Sequence, residues 1–534
     1  MKVSDSLVFL DPRFESKFAW RDTKDYTWGE LRDLCCSATT YLLELGVKPQ
    51  DRVANLGCNS LAWVMLDLAC SVLNAIHVPL DPRMGQQQRS DCLSLLDPKI
   101  VFEDGAYKGE TTSRCSYRSL ESLIQQQSNT NCDDLRTLCV PAKADDVANI
   151  LFTSGTTGAQ RGVMLSHRNL VLNAQAKLDA MPQLPSDHRL NFLPFSHAYA
   201  RTCELTTWLL SYSSMEVMHG IEAVLQNAKE AAPSLINGVP LFYDRLSRVW
   251  SQQEPTLDSL HQILGDRIRR LASGGAALNA KLRADFQGVG LPVFQGYGLT
   301  EASPVVCSNR VLCSSDKSDA TWECLDEVGP VVQGTQIRID ANSKLWVAGD
   351  GVMLGYWRDD TATRNKIIDG WLDTGDLAEL VLRPEEDGNC LPESASETTP
   401  CVRILGRDDD TIVLSSGYKI FPLELEQRLK TISWIEQCLL VGDKRPFPIL
   451  LCVGSRERLS GSVNRHKEGL LREVHEALAG VANYALPRDI LVQEEAWTSV
   501  ARLANFKGGL MRKRIEQRYA LEIEAIYQKE LSKR

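Results

Sequence analysis

The sequence predicts an α/β protein of two parts, a large doubly wound domain followed by a small α+β unit. Three observations carry that reading. The chain has 534 residues, too many for one ordinary core. Short apolar strands alternate with helices, the pattern of a parallel sheet covered on both faces. Near residue 385 the character changes: PEEDGNCLPESASETTP is acidic, rich in turn formers and reads as an exposed surface insertion.

The elements follow in order. TWGELRDLCCSATTYLLELG, 27–46, has apolar positions three and four apart and Gly46 after its end, so it reads as a helix. DRVANLG is a short strand. SLAWVMLDLACSVLNAIHVPL, 60–80, is the longest apolar region, interrupted by Asp67, Asn74 and His77. It predicts a buried helix over 60–75 running into the strand AIHVPL, and no transmembrane segment. Next come the strand ANILFT, a glycine-rich loop, the helix HRNLVLNAQAKLDAM, the strand HRLNFLPF, and LPVFQGYG as a strand entering a loop. After the insertion, VRILGRDDDTIVLSSG reads as strand, tight turn and strand. FPLELEQRLKTI and His466 to Ala482 are helical, with short strands near 436–441 and 448–454. A last helix, 510–528, begins with Arg512, Lys513 and Arg514.

Composition excludes some functions. Hydrophobic residues are 43% and charged residues 24%, as in a folded globular protein. With 69 acids against 59 bases the net charge is −10, which argues against nucleic acid as the main partner. A local basic cleft for an anion stays compatible with it. None of the sixteen cysteines forms a CxxC pair, so free thiols in a reducing compartment are expected rather than a zinc site or disulfide framework. The N-terminus, MKVSDSLVFLDPRFESKF, has no signal-peptide pattern, and a cytoplasmic location is expected.

The loop within ILFTSGTTGAQRGVMLSH carries the first functional signal. From Thr153 to Gly162 it holds four hydroxyls, three glycines, Arg161 and no acid. Glycines permit close approach, and converging N–H and O–H donors suit phosphate oxygens, with Arg161 as the fixed cation. It is not the GxxxxGK[ST] loop. Three further turns share its profile. QGYGLTEASPVV, 295–306, presents a hydroxyl and Glu301; WLDTGDLAEL, 371–380, presents Asp376; ILGRDDDTIVLSSGYKIFP, 404–422, presents Arg407 and three acids. Carboxylates in such turns suit ribose hydroxyls or Mg²⁺. Four such turns in one α/β chain point to a nucleotide site.

FTSGTTGAQRGVMLSH, GYGLTEASP, WLDTGDL and GRDDDTIVLSSGYKIFPLELE, in this order, resemble the motifs of the adenylate-forming superfamily. That superfamily includes acyl-CoA synthetases, firefly-type luciferases and the adenylation domains of peptide synthetases. LPFSHAYART, INGVPLFYDRL and QGYGLTE most resemble its long-chain fatty acyl-CoA synthetase branch. The resemblance implies a large N-terminal AMP-binding domain over 1–406 and a small mobile α+β lid over 407–534, hinged near Asp409. It implies that Thr153, Ser154, Gly155, Thr156, Thr157, Gly158 and Arg161 cradle phosphates. By the same resemblance Thr300 touches the α-phosphate and Glu301 holds Mg²⁺. Tyr297 lies against adenine near Gly274, Gly275 and Ala276, and Asp376 and Arg407 bind the ribose. His197 would sit beside the substrate carboxylate and the thioester channel, whereas His167, at a helix start, reads as structural. An apolar acyl tunnel is expected between about 190 and 300, with LFYDRL and TWLLSY as candidates.

Two departures from the family pattern stand out. Gln160-Arg161 replaces the usual Pro-Lys, keeping the charge but changing its reach. In ARLANFKGGLMRKRIEQRY, alignment on the basic helix puts Gly509 at the catalytic lid lysine, whereas alignment on Asn-Phe-Lys recovers Lys507. The expected function is an ATP- and Mg²⁺-dependent synthetase that activates a medium- or long-chain fatty acid through an acyl-adenylate and transfers it to CoA. The alternatives are an acyl-AMP ligase that loads an acyl carrier protein and a catalytically weakened nucleotide-binding protein.

Overall fold

The computed structural model describes residues 2–104, 116–125, 134–154, 160–312, 321–323, 327–381, 400–454, 467–498, 500, 503–504 and 509–531. Two large sheets form the body. The first has seven strands, in the order Gly355–Tyr356, Gln160–Ser166, Val147–Ser154, Ile76–Leu80, Arg52–Leu56, Ile100–Glu103, Ser116–Ser119. The second has eight, in the order Val305–Ser308, Val293–Gly298, Arg270–Ser273, Leu235–Gly238, His188–Asn191, Ser214–Val217, Phe18–Arg21, Asp25–Thr27. Its middle strands are all parallel, so their carboxyl ends open on one side. Ligands of open α/β sheets bind there.

Local chemistry explains the helices. Thr27 caps Trp28–Glu44 with a reciprocal bond to Glu30. Ser166 and Asn169 do the same for His167–Ala180. Every residue of Leu61–Val72 is buried, which accounts for the longest apolar stretch as a core helix. No described helix is long and apolar enough to cross a membrane. His167 is buried with its Nε2 3.2 Å from Asn74 Oδ1, a structural position as expected; burial and the nearby Lys2 charge lower its pKa to about 4.

A third sheet, Thr335–Ile339, Lys344–Gly349 and Trp371–Val381 with Ile367–Ile368 and Cys401–Arg407 paired to it, leads to the C-terminal unit. That unit has its own antiparallel-then-parallel sheet, Ile435–Val441, Ile449–Gly454 and Ile490–Gln493. Its two cores, around Trp434 and around Trp497, draw only on residues from 412 onward. The fold class is α/β with a large N-terminal domain and a small α+β C-terminal domain, as the sequence predicts.

Four details differ from expectation. The strand HRLNFLPF ends at Asn191, because Pro194 cannot donate to a ladder. The last helix is two, Arg512–Arg518 and Ala520–Leu531, separated at Tyr519 (φ −103°), whose hydroxyl accepts from Trp497 Nε1 at 3.2 Å. TWLLSY is core, not tunnel: Trp208 stacks on Trp28 and packs beside Trp20. Cys36 and Cys401 are each disulfide-bonded, which corrects the expectation of free thiols throughout. Cys36 adjoins Cys35, and Cys401 stands alone in the sequence, so no spacing marks either one as a half-cystine. The insertion 384–400 lies, but for Pro400, outside the described residues.

Candidate active site

At the carboxyl end of Val293–Gly298 the chain turns sharply through Leu299 into Thr300–Ala302. Gly298 is required there, since a Cβ would lie 1.8 Å from the Pro304 carbonyl oxygen. The turn sets Tyr297 pointing at Asp376, to which its hydroxyl donates a short bond. In the paired strands Asp376 faces Arg407, and Arg407 Nη1 donates to Asp376 Oδ1 at 2.8 Å. Burial, joined by the Asp376 charge, pushes the Tyr297 phenol well up, so it stays a donor. Burial alone would lower the Arg407 pKa, but Asp376 outweighs it and raises it. Three residues singled out in separate motifs therefore form one cluster around the buried Asp376. Asp376 keeps two lone-pair directions unused by these bonds, enough for a ribose diol.

Gly274 and Gly275, just past Arg270–Ser273, line one cavity with Tyr297, Gly298 and Thr300. The Tyr199 ring lies so close to Gly274 that a Cβ there would meet it at 2.7 Å. Ala276 is exposed and outside the lining.

Glu301 sits in the same turn. Its Oε1 accepts from the Tyr356 hydroxyl at 2.8 Å, and the Arg161 guanidinium lies 5.3 Å from the Tyr356 ring centre. Thr153 pairs with Arg161 across the Val147–Ser154 and Gln160–Ser166 hairpin. Burial, then Glu301, raises the Tyr356 pKa. Among the described residues no group of three or more potential ligands could hold a metal by itself. A Mg²⁺ bridging phosphates needs only one or two carboxylates, and Glu301 fits that demand. Ser154 ends its strand, while Gly155, Thr156, Thr157, Gly158 and Lys507 lie outside the described residues.

His197 lies on the far wall of the same cavity. Its Nε2 is 2.8 Å from Asp81 Oδ2, and Arg83 clamps that carboxylate with Nε at 2.9 Å and Nη2 at 2.8 Å. Burial alone would raise the Asp81 pKa, but hydrogen bonds from His197 and Arg83 hold it well below the usual range. His197 also borders a second cavity of about 360 Å³, walled by Phe192, Leu193, Met218, Ile221, Val239 and Leu241. Leu241 is the LFYDRL residue that lines it; Phe242, Tyr243 and Leu246 are core. Asp81, Arg83, Tyr199 and Tyr356 were not anticipated. The one available signal was a turn, Asp-Pro-Arg, directly after a fully buried strand.

Comparison with known proteins fits this geometry. A family model described as AMP-binding enzyme matches residues 11–357, and one described as AMP-binding enzyme C-terminal domain matches 409–531. The chain belongs to the AMP-binding enzyme family. It is 25% identical to a long-chain-fatty-acid–CoA ligase of Mycobacterium bovis, over 95% of this chain and 93% of that one. It is 28% identical to a feruloyl-CoA synthase of an Amycolatopsis species, over 79% and 81%. The structure resembles ATP-bound MatB from Rhodopseudomonas palustris with a TM-score of 0.77, covering 97% and 99% at 21% identity. The resemblance is thus to adenylate-forming acyl- and aryl-CoA ligases.

In this AMP-binding enzyme the turn Asp408–Asp410 lies between the strand Cys401–Arg407 and the C-terminal core that begins at Ile412. Lys344 of the body bridges Asp373 at 2.8 Å and Asp408 at 3.7 Å. Arg512 of the C-terminal domain pairs with Glu426 at 2.7 Å and lies 3.7 Å from Asp410. Asp409 stands between these two anchored neighbours, and its own carboxylate forms no ion pair among the described residues.

Proposed function

We propose that this AMP-binding enzyme is an ATP-dependent acyl-CoA synthetase for a medium- or long-chain fatty acid. The observation that carries the reading is the junction at His197. His197 lines both the cavity of Thr300 and Tyr297, whose hydroxyl is bonded to Asp376, and an apolar cavity of about 360 Å³. The named ligase and synthase relatives support the acid–thiol chemistry.

In this reading Asp376 and Arg407 hold the ribose and Tyr297 flanks the adenine. Gly274 and Gly275 let the nucleotide approach the backbone. Thr153, the loop Ser154–Gly158 and Arg161 take the outer phosphates. Mg²⁺ at Glu301 would neutralise phosphate charge. A carboxylate oxygen of the acid forms a bond to the α-phosphorus, and pyrophosphate leaves with the electrons of the broken P–O bond. Thr300 donates to the α-phosphate, and His197, held by Asp81, positions the carboxylate. A thiolate then bonds to the acyl carbon and AMP departs. Positioning and charge stabilisation supply the catalysis. The domain boundary falls at 406/407. The lid turns at Asp409 between the two half-reactions, and Lys507 is its catalytic lysine.

Purified enzyme given ATP, Mg²⁺ and carboxylic acids, with and without CoA, tests the reading by mass spectrometry. Acyl-CoA formed only when CoA is present supports it. Acyl-AMP that persists with CoA points to a carrier-protein acceptor, and no pyrophosphate with any acid overturns it. The reading locates the enzyme in the cytoplasm, where ATP and CoA are available. The disulfides at Cys36 and Cys401 run against reducing conditions there. Recovery of the native protein in a secreted fraction would overturn that location.

A further inference from the structure

Among the described residues, Lys177 is a buried cation with no acid to answer it. It lies on His167–Ala180 and is 5% exposed. Its Nζ donates to Ser308 Oγ at 2.9 Å and contacts Met181 Sδ at 2.8 Å. Ser308 Oγ in turn donates to the Asn309 carbonyl. Among the described residues no carboxylate pairs with Lys177. Burial pushes its pKa down, and Arg270 adds to that. A buried ammonium held by one hydroxyl and one thioether is costly, and packing alone would be served better by methionine or leucine.

Its location gives the cation a task. Lys177 lines the inner end of the cavity whose mouth is Tyr297, Gly298 and Thr300. Ala272, Phe294 and Cys203 line that same inner end. The cavity holds only about 70 Å³, so a short acid joined to phosphate at Thr300 and directed inward along Phe294 would end on Lys177. The other space at His197 is bordered by exposed Cys58 and half-exposed Arg83, so it opens toward solvent and suits an arriving thiol arm.

We propose that Lys177 is a specificity-determining residue and that the acid activated here carries an oxygen acceptor, carboxylate, keto or hydroxyl, at its far end. The inference rests on the acid-activating reading and puts a short, polar-tipped acid in place of its medium- or long-chain fatty acid. An ammonium with three donors selects such a tip, because a plain methyl end leaves a buried donor unpaired.

The test compares wild type with Lys177→Met on matched pairs of acids from C4 to C12: each plain monoacid against its ω-hydroxy, ω-oxo and dicarboxylic analogues. Pyrophosphate release gives kcat/KM, and calorimetry with AMP present gives binding of the same acids. The inference expects wild type to favour one tipped class at least tenfold. Lys177→Met should abolish that preference while leaving the plain acids within threefold. The variant should melt no lower than wild type, which a structural lysine would not allow. Lys177→Gln serves as a second variant should the first misfold. Equal use of plain and tipped acids, or an equal loss on both in the variant, overturns the Lys177 assignment and leaves acid activation standing. No pyrophosphate with any acid sinks acid activation. The calorimetry then decides Lys177 by itself: tip-dependent binding lost in the variant supports it, and tip-independent binding overturns it.

Discussion

Asp376→Asn separates nucleotide recognition from folding. The carboxylate accepts Tyr297 on one oxygen and Arg407, 2.8 Å away, on the other, and its side chain is 7% exposed. Asparagine has the same shape. Its carbonyl oxygen keeps the Arg407 bond, and its amide donates to the Tyr297 oxygen. The native state loses only the charge on a bond to a half-exposed guanidinium, about 1 kcal/mol. The ribose fares worse. Two hydroxyls that donated to carboxylate oxygens now find one neutral acceptor and one amide donor. Loss of a charged-acceptor bond costs about 1.5–3 kcal/mol, or roughly 10- to 150-fold in ATP affinity. Calorimetric titration with ATP, beside a thermal melt, reads both quantities. Affinity within twofold of wild type would refute the ribose assignment. A large loss of stability with unchanged affinity would show the cluster to be structural.

Three further outcomes follow from named groups. Gly274→Val puts a branched side chain where a Cβ already meets the Tyr199 ring at 2.7 Å, so pyrophosphate release should fall by about 100-fold or more, beyond what an overpacking cost of about 1–3 kcal/mol in the melt explains; activity near wild type would remove this wall from the site. Burial raises the Glu204 pKa to about 7 against the pull of Arg189. The native state then keeps a proton that the unfolded chain releases, so stability falls as pH rises from about 4.5 to about 7, by on the order of 3 kcal/mol at most. Melts of Glu204→Gln at pH 5 and 8 should lack that fall, and an unchanged pH slope would contradict it. The depressed Asp81 pKa works in the opposite sense: its contribution is present above the ordinary value of 3.8 and fades as pH falls below it. Asp81→Asn should therefore melt lower than wild type at pH 6, with the gap only beginning to narrow at pH 3.

Legibility in the sequence followed distance along the chain. Alternating apolar strands and capped helices are local, and the α/β class, the core helix at 60–75 and the small C-terminal domain could be read directly. The division into two large sheets could not, because Phe18–Arg21 joins Ser214–Val217 across most of the body. The site divides in the same way. Tyr297, Asp376 and Arg407 each stood in a turn of recognisable chemistry. Asp81, 116 positions from His197, sat in an unremarkable Asp-Pro-Arg turn, and Tyr356 reaches Glu301 from 55 positions away. Lys177 occupied a largely buried helix, where only the fold reveals that it lines a cavity. The half-cystines Cys36 and Cys401 carried no spacing signal at all.

The central claim is that this chain joins a carboxylic acid to AMP and then to a thiol. Mass spectrometry of a reaction containing ATP, Mg²⁺, CoA and an acid panel, beside a Lys507→Ala control, tests it most directly. The account predicts pyrophosphate and AMP in step with one acyl-CoA, formed by wild type and not by the control. ATP that stays intact with every acid, although nucleotide binds, would contradict it.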